Sequence, residues 1–149
     1  MKAEVVNHIH KSFEKLYEVY GFSVLNEINE DGYYMIEYGS ADFTIEIERY
    51  RRELYASVYK TDKHKDGIGL HNLMDFLKQD STDKSEANFF RKETNLDECY
   101  KKQVSYIVTI LFDNYSLIKD FYKSDNFQLR YDEFVKYWKT KHPEFYKTL

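Results

Sequence analysis

The fold is decided by residues 43–59, which read FTIEIERYRRELYASVY. Along Phe43–Arg49 and again along Leu54–Tyr59, aliphatic or aromatic side chains alternate with charged or hydroxyl-bearing ones. A period of two is typical of β-strands that bury one face. If Arg49 pairs with Leu54 across a tight turn, the apolar residues of both strands share one face, and a slip of one residue would destroy that match. The stretch therefore predicts an antiparallel hairpin.

Two more strands are predicted on the N-terminal side of this hairpin, at 22–28 and 33–38. Gly32 suits the turn between them because glycine tolerates a positive φ. Pairing Tyr38 with Phe43 continues the apolar face into the hairpin. The four segments together predict a four-stranded antiparallel meander. A three-residue first turn would add three apolar residues to its core face: Phe22, Val24 and Ile28.

Helices are predicted on both sides of the meander by apolar residues at helical spacing. The first covers 3–20, a short one covers 70–78, and the last begins at Asp125. Residues 95–123 are predicted to form one long helix whose middle is apolar on nearly all sides. Such a helix is expected to lie at the centre of the molecule.

The chain of 149 residues is predicted to be a single α+β domain over 1–149. Residues 1–60 hold the N-terminal helix and the meander, and 61–149 hold a helical half dominated by the long central helix. No run approaches about eighteen apolar residues, and the N-terminus lacks the apolar segment of a signal peptide, so no membrane association is expected. The lone Cys99 cannot form an internal disulfide and fits a reducing compartment. We therefore expect a cytoplasmic protein.

Charge is distributed unevenly along the chain, whose net charge is −4. Residues 16–48 contain eight acidic residues and no Lys or Arg. The strand pattern places several of these acids, including Glu27, on the sheet face opposite the core. An acidic face disfavours nucleic acid and suits a basic protein partner. Six of its residues are predicted to bind that partner and are called the acidic face below: Glu37, Glu46, Glu48, Tyr33, Tyr55 and Tyr59.

Three other interpretations of this pattern remain open. The acidic face could simply be solvated, or the last helix could lie across it and neutralise it with Lys136, Lys139 and Lys141. The chain could also be a structural or oligomerising bacterial protein that self-associates through the long apolar helix. Sequence alone leaves a monomer and a homodimer equally open.

Catalytic and metal-binding patterns are weak in this sequence. Residues 62–67 resemble the start of a calcium loop, but His64 stands where an oxygen ligand is required and Leu73 where a Glu is required. An enzyme would have to be built on His64, His71 or Cys99. His64 and His71 flank the glycine turn and could converge, but no Cys or acid is spaced to complete a metal site with them. The sequence therefore predicts no enzyme, no metal and no cofactor.

The order of elements resembles small bacterial immunity proteins that partner secreted polymorphic toxins. The residues that carry the likeness are an N-terminal helix running into Tyr20–Val24, the strands ending in Ile45–Val58, and a short helix at Leu70–Leu77. They cover roughly the first half of the chain. The resemblance implies a non-enzymatic inhibitor that binds a toxin domain tightly, often a basic nuclease, through an acidic and aromatic surface.

Overall fold

The computed structural model describes residues 1–79, 92–123 and 125–145, and it shows a mixed α+β fold. Within those residues, a five-stranded antiparallel sheet has the order β1-β2-β3-β4-β5, and helices pack on its core face. No helix among the described residues is long and apolar enough to cross a membrane. Short 3-10 turns lie at His64–Asp66 and Pro143–Phe145. The helices and strands of the described residues are α1 Ala3–Ser12, α2 Glu14–Glu18, β1 Ser23–Glu30, β2 Tyr33–Gly39, β3 Phe43–Tyr50, β4 Glu53–Lys60, β5 Ile68–Gly69, α3 Leu70–Leu77, α4 Leu96–Asp113, α5 Tyr115–Lys123 and α6 Phe127–Lys141.

The four predicted strands are confirmed, and a fifth, β5, adds two residues beside β4. The predicted pairing of Arg49 with Leu54 is also confirmed. The pairing of β2 with β3 is shifted by two residues, because Ser40 and Phe43 close a shorter turn than expected. The Ser40 amide donates to the Phe43 carbonyl at 2.9 Å, and the Ser40 hydroxyl accepts from the Phe43 amide at 3.2 Å. A shift of two preserves which face each side chain occupies, so the predicted faces of β2 and β3 stand.

The first turn contains two residues rather than three, so the predicted register of β1 is wrong. Glu30 pairs with Tyr33, and Gly32 has a φ of +79°. As a result Ile28 pairs with Met35 on the outer face, while Glu27 pairs with Ile36 on the core face. Both residues therefore lie on the side opposite to the one expected.

A β-bulge at Leu25 reverses this change of face for the first residues of β1. Val24 pairs with Tyr38, so Val24 and the preceding Phe22 return to the core side as predicted. The extra residue, Leu25, lies over Gly39, where an added Cβ would come within 2.4 Å of Leu25 Cδ1. Gly39 is therefore required by close packing and not by its own backbone angles.

The two long helices predicted from periodicity are each interrupted. The N-terminal helix breaks at Phe13, which separates α1 from α2. The central helix breaks at Asn114, which has a φ of −119° and a ψ of 18°, and its side-chain amide donates to the Ile110 carbonyl at 2.8 Å beside the regular backbone bond. Apolar side chains on both sides of that break remain buried, with Leu111 and Ile118 fully inaccessible. The predicted central position of the segment is thus correct, but its continuity is not.

Candidate interaction surface

The three predicted glutamates lie next to one another on the outer face of the sheet. Glu37 of β2 pairs directly with Glu46 of β3, and Glu48 pairs with Tyr55 of β4. Ile36 and Ile47, which alternate with these residues, are fully buried in the core. The meander therefore positions three carboxylates on two adjacent strands, all directed away from the helices.

Among the described residues, each carboxylate has one hydrogen-bonding neighbour, and none of those neighbours is a lysine or an arginine. Tyr33 Oη donates to Glu48 Oε2 at 2.9 Å, and Tyr59 Oη donates to Glu37 Oε2 at 2.5 Å. His64 Nε2 lies 3.5 Å from Glu46 Oε1. A neutral phenol stabilises a carboxylate without cancelling its charge, so the negative potential of the face persists.

Burial and mutual repulsion shift the pKa values on this face. Burial raises the pKa of Glu46, and the charges of Glu37 and Glu48 raise it further, against the opposing effect of His64. Only 16% of the Glu46 side chain is exposed. Burial, followed by the hydrogen bond to Glu48, raises the pKa of Tyr33 to about 12. Both groups therefore have pKa values above their ordinary ones.

The tyrosines of the acidic face differ in what they offer a partner. The Tyr59 residue is 5% exposed, so it orients Glu37 but supplies almost no contact area. Tyr55 is 47% exposed and protrudes from the face. Tyr50, which the sequence interpretation did not include, lies with its ring centre 6.4 Å from that of Tyr55. The aromatic contact area is therefore at the β3–β4 turn.

Two residues near the carboxylates were assigned differently from sequence. From sequence, His64 was a weak candidate for metal binding or an enzyme and more plainly a structural or surface residue; its ring packs edge-on against Tyr59, with ring centres 4.9 Å apart, and faces Glu46. Glu27 was expected on the acidic face, but it lies on the core side, where it meets His10 Nε2 at 2.8 Å and Tyr34 Oη at 2.7 Å. The loop that carries His64 has no periodicity from which its position could be predicted, and Glu27 was misplaced by the wrong first turn.

The last helix packs away from the acidic face. Phe134 of α6 contacts Phe76 of α3, with ring centres 5.6 Å apart. Lys141 of α6 pairs with Asp75 of α3, and Tyr137 of α6 also contacts Asp75. Lys136 and Lys139 line a separate surface groove along α6 itself. The glutamates of the acidic face make no ion pair with these lysines.

The residues considered for catalysis have different neighbours. His71 stacks on Tyr106 with ring centres 5.6 Å apart, and burial lowers the pKa of His71. Cys99 is buried beside Gln103, whose amide nitrogen lies 3.4 Å from the sulfur. His64 faces Glu46 on the outer face. Across residues 1–79, 92–123 and 125–145, no group of three or more His, Cys, Asp or Glu side chains is arranged to hold a metal ion.

Searches against protein-family models, curated proteins and solved structures found nothing that matches this chain.

Proposed function

We propose that this chain is a small, non-enzymatic protein-binding module that covers a basic surface of a partner protein with its acidic face. The observation that carries the proposal is the row formed by Glu37, Glu46 and Glu48. These carboxylates lie side by side, and in the described part of the chain no lysine or arginine pairs with them. A partner's Lys or Arg side chains would supply the missing countercharge.

The arrangement costs stability in the free protein, which favours a role in binding. Like charges directly opposite each other on neighbouring strands are destabilising, and Glu37 faces Glu46 in this way. Proteins tolerate locally unfavourable arrangements mainly at functional sites. An arginine from a partner could bind a carboxylate in two-point geometry and relieve the repulsion. The charges would also accelerate and orient the encounter with a basic partner.

The exposed tyrosines would supply contact area next to the charges. Tyrosine is enriched among the residues that dominate binding energy at interfaces. Tyr50 and Tyr55 are 57% and 47% exposed and lie together at the end of the β3–β4 hairpin. We place the aromatic part of the interface there, with the carboxylates beside it.

The resemblance to immunity proteins supplies a more specific form of the proposal. The partner would then be a basic toxin domain, and the chain would neutralise it in the cytoplasm by covering its active surface. The acidic and aromatic composition of the face supports this form but does not distinguish a toxin from another basic protein.

Affinity capture from a lysate of the source cells, followed by mass spectrometry, tests the proposal. The double variant Glu46→Lys with Glu48→Lys should lose a partner that the native chain captures, while circular dichroism stays unchanged. A matched control is Asp113→Lys with Asp120→Lys, which changes the net charge equally at two exposed helix positions. Capture that survives in the first variant, or is lost equally in both, would exclude the acidic face as the binding surface.

Self-association through the central helical segment is the alternative function, and it has less support. The apolar side chains of α4 and α5 that would form such an interface, among them Ile107, Leu111 and Ile118, are buried in the chain's own core. Sedimentation equilibrium distinguishes the two functions, because a stable dimer insensitive to the Glu46→Lys and Glu48→Lys changes would favour the alternative.

A further inference from the structure

The first strand, β1, is an open edge of the sheet. It is the terminal strand in the sheet order, and within the described residues it pairs only with β2. Seven of its eight residues are exposed and the eighth is half-buried. Val24 and Leu25 are 45% and 53% exposed. A long edge strand with exposed apolar side chains is a template for pairing with another chain.

β1 lacks three of the usual protections of an edge strand, although it has a bulge at Leu25 and two acidic side chains. Natural sheets block their edges with lysines, prolines or very short strands. Residues 23–30 contain no Lys, Arg or Pro, and the strand is eight residues long. The bulge at Leu25 twists only its first part. Residues 26–30 continue as a regular ladder on the β2 side.

Backbone groups of this regular part face outward. Glu30 and Tyr33 flank the two-residue turn and therefore form a hydrogen-bonded pair. Hydrogen-bonded and non-hydrogen-bonded positions alternate along an antiparallel pair. The N–H and C=O groups of Asn29 and Glu27 consequently point away from β2, where an added strand could pair with them.

We propose that β1 accepts an extended, Lys- or Arg-bearing segment of a partner protein as a sixth strand of the sheet. The inference rests on the proposed function only for the basic character of the partner, and it adds a second contact surface to it. The positive charge of the partner segment is inferred from the charge of β1. This strand carries Glu27 and Glu30 but no Lys or Arg, and Asp31 follows it directly. Glu27 and Glu30 lie on opposite faces of β1, so cationic side chains on alternate positions of the added strand would approach Glu27 on the core side, while the intervening side chains would share the outer face with Ile28.

A second copy of this chain fits the same edge poorly. An antiparallel pair of two β1 strands would collect four glutamates in one two-stranded ribbon that contains no Lys or Arg. Like charges opposite each other across strands are destabilising. A basic segment would instead bring positive charges to the acids of β1. Its apolar side chains could pack on Leu25, which lies over Gly39, and on Ile28, which pairs with Met35 beside the acidic face.

The experiment uses the full chain, labelled with ¹⁵N, and a synthetic seven-residue peptide of alternating Lys and Val. We expect shifts of the β1 amide resonances and cross-strand NOEs between peptide and residues 26–30. A peptide with Glu in place of Lys should bind at least roughly tenfold more weakly, as should one N-methylated at alternate positions, since it cannot complete the ladder. Equal binding of all three peptides, or NOEs confined to other surfaces, would overturn the inference.

Variants of Asn29 distinguish the contribution of its backbone N–H to peptide binding from that of its side chain. Asn29→Pro removes one outward N–H, at a position where an edge strand tolerates proline. Asn29→Ala keeps that N–H but loses the side-chain bonds to the Met1 amine and carbonyl. Weaker peptide binding in the Pro variant alone supports strand addition, and equal weakening in both opposes it. Because a misfolded Pro variant would tell nothing, its amide spectrum is checked first, and the N-methylated peptide remains the decisive comparison.

The acidic face and the edge can fail independently. If the Glu46→Lys, Glu48→Lys variant keeps the NOEs between peptide and β1, the edge is supported whatever the outcome for the acidic face. If the peptide contacts only the acidic face, the edge is excluded while the proposed function stands. Dimerisation of the free chain through β1, detected by sedimentation and by concentration-dependent shifts of the β1 amides, would also overturn the inference.

Discussion

Removing one charge from the Glu37–Glu46 pair should stabilise the protein. Glu46→Gln keeps the shape of the side chain and an acceptor oxygen for His64, so the main change is the loss of one negative charge. The side chains of a directly opposed pair start from Cβ atoms about 5 Å apart, and an unfavourable cross-strand pair costs about 0.2–1 kcal/mol. We therefore expect the free energy of unfolding at pH 7 to rise by about 0.5 kcal/mol or more, since Glu48 adds to the repulsion.

The gain should depend on pH in a defined direction. The pKa of Glu46 is raised above its ordinary value of 4.5, so the folded state binds the proton more tightly than the unfolded chain does. The native protein must then lose stability as the pH rises from about 4.5 through the raised pKa. The Gln variant lacks this dependence. Its advantage should be full at pH 7 and should be largely lost near pH 4, where Glu46 is mostly protonated in both states.

Urea denaturation of a double-mutant cycle tests the register as well as the charge. Glu37→Gln and Glu46→Gln should be less than additive, with a coupling of about 0.5 kcal/mol at low salt that shrinks at high salt. The distant pair Glu30→Gln and Glu46→Gln serves as the additive control. Full additivity of the first pair would mean that Glu37 does not face Glu46. A stability gain that persists at pH 4 would mean that the gain does not come from the charge.

Two other predictions concern positions around the same surface. Gly39→Ala should destabilise the fold by about 1–3 kcal/mol, because the new methyl group would overlap Leu25. In urea denaturation, Gly39→Ala should cost less in a Leu25→Ala chain than in the native chain, and equal costs in the two chains would contradict the packing. Tyr33→Phe should flatten the fall in stability between pH 10 and about 12, since the native phenol keeps its proton beyond the unfolded pKa of 10.0; unchanged alkaline denaturation curves would show that Tyr33 titrates normally.

Side-chain alternation was sufficient to predict the faces of three strands. The face that each side chain of β2, β3 and β4 occupies follows from burial of residues such as Ile36 and Ile47. A register shift of two residues leaves these faces unchanged. The side of the sheet on which Glu37, Glu46 and Glu48 lie was therefore predictable. That Glu37 directly faces Glu46 was not, because it depends on the Ser40–Phe43 hydrogen bonds that close the second turn.

Periodicity could not locate the interruptions of the fold. Apolar helical spacing continues through Asn114, although its backbone angles leave the helical range and its side-chain amide bonds to the Ile110 carbonyl. The bulge at Leu25 also leaves no mark in the sequence pattern, since Phe22, Val24 and Ile28 are consistent with an unbroken strand. The two-residue turn at Gly32 and burial of Phe22 can be satisfied together only if one residue of β1 is left unpaired.

The displaced Glu27 shows why an acid is tolerated on the core side of this sheet. Tyr34 and Tyr38 are fully buried residues whose hydroxyl groups need hydrogen-bond partners. Tyr34 donates to Glu27 at 2.7 Å, and Tyr38 lies 3.5 Å from His10, which itself meets Glu27. The carboxylate thus satisfies a phenol that the apolar core could not.

The same pairing on the outer face connects the composition of the chain to its proposed function. Fifteen tyrosines give the chain many phenol donors, and Glu37 and Glu48 are bonded by tyrosine hydroxyls rather than by cations. A salt bridge would orient a carboxylate and cancel its charge, whereas a phenol orients it and leaves the charge in place. Tyrosine therefore allows the sheet to hold fixed, uncancelled carboxylates at its surface. A basic partner would meet charges that are already oriented, so less conformational entropy would be lost on binding than with mobile glutamates.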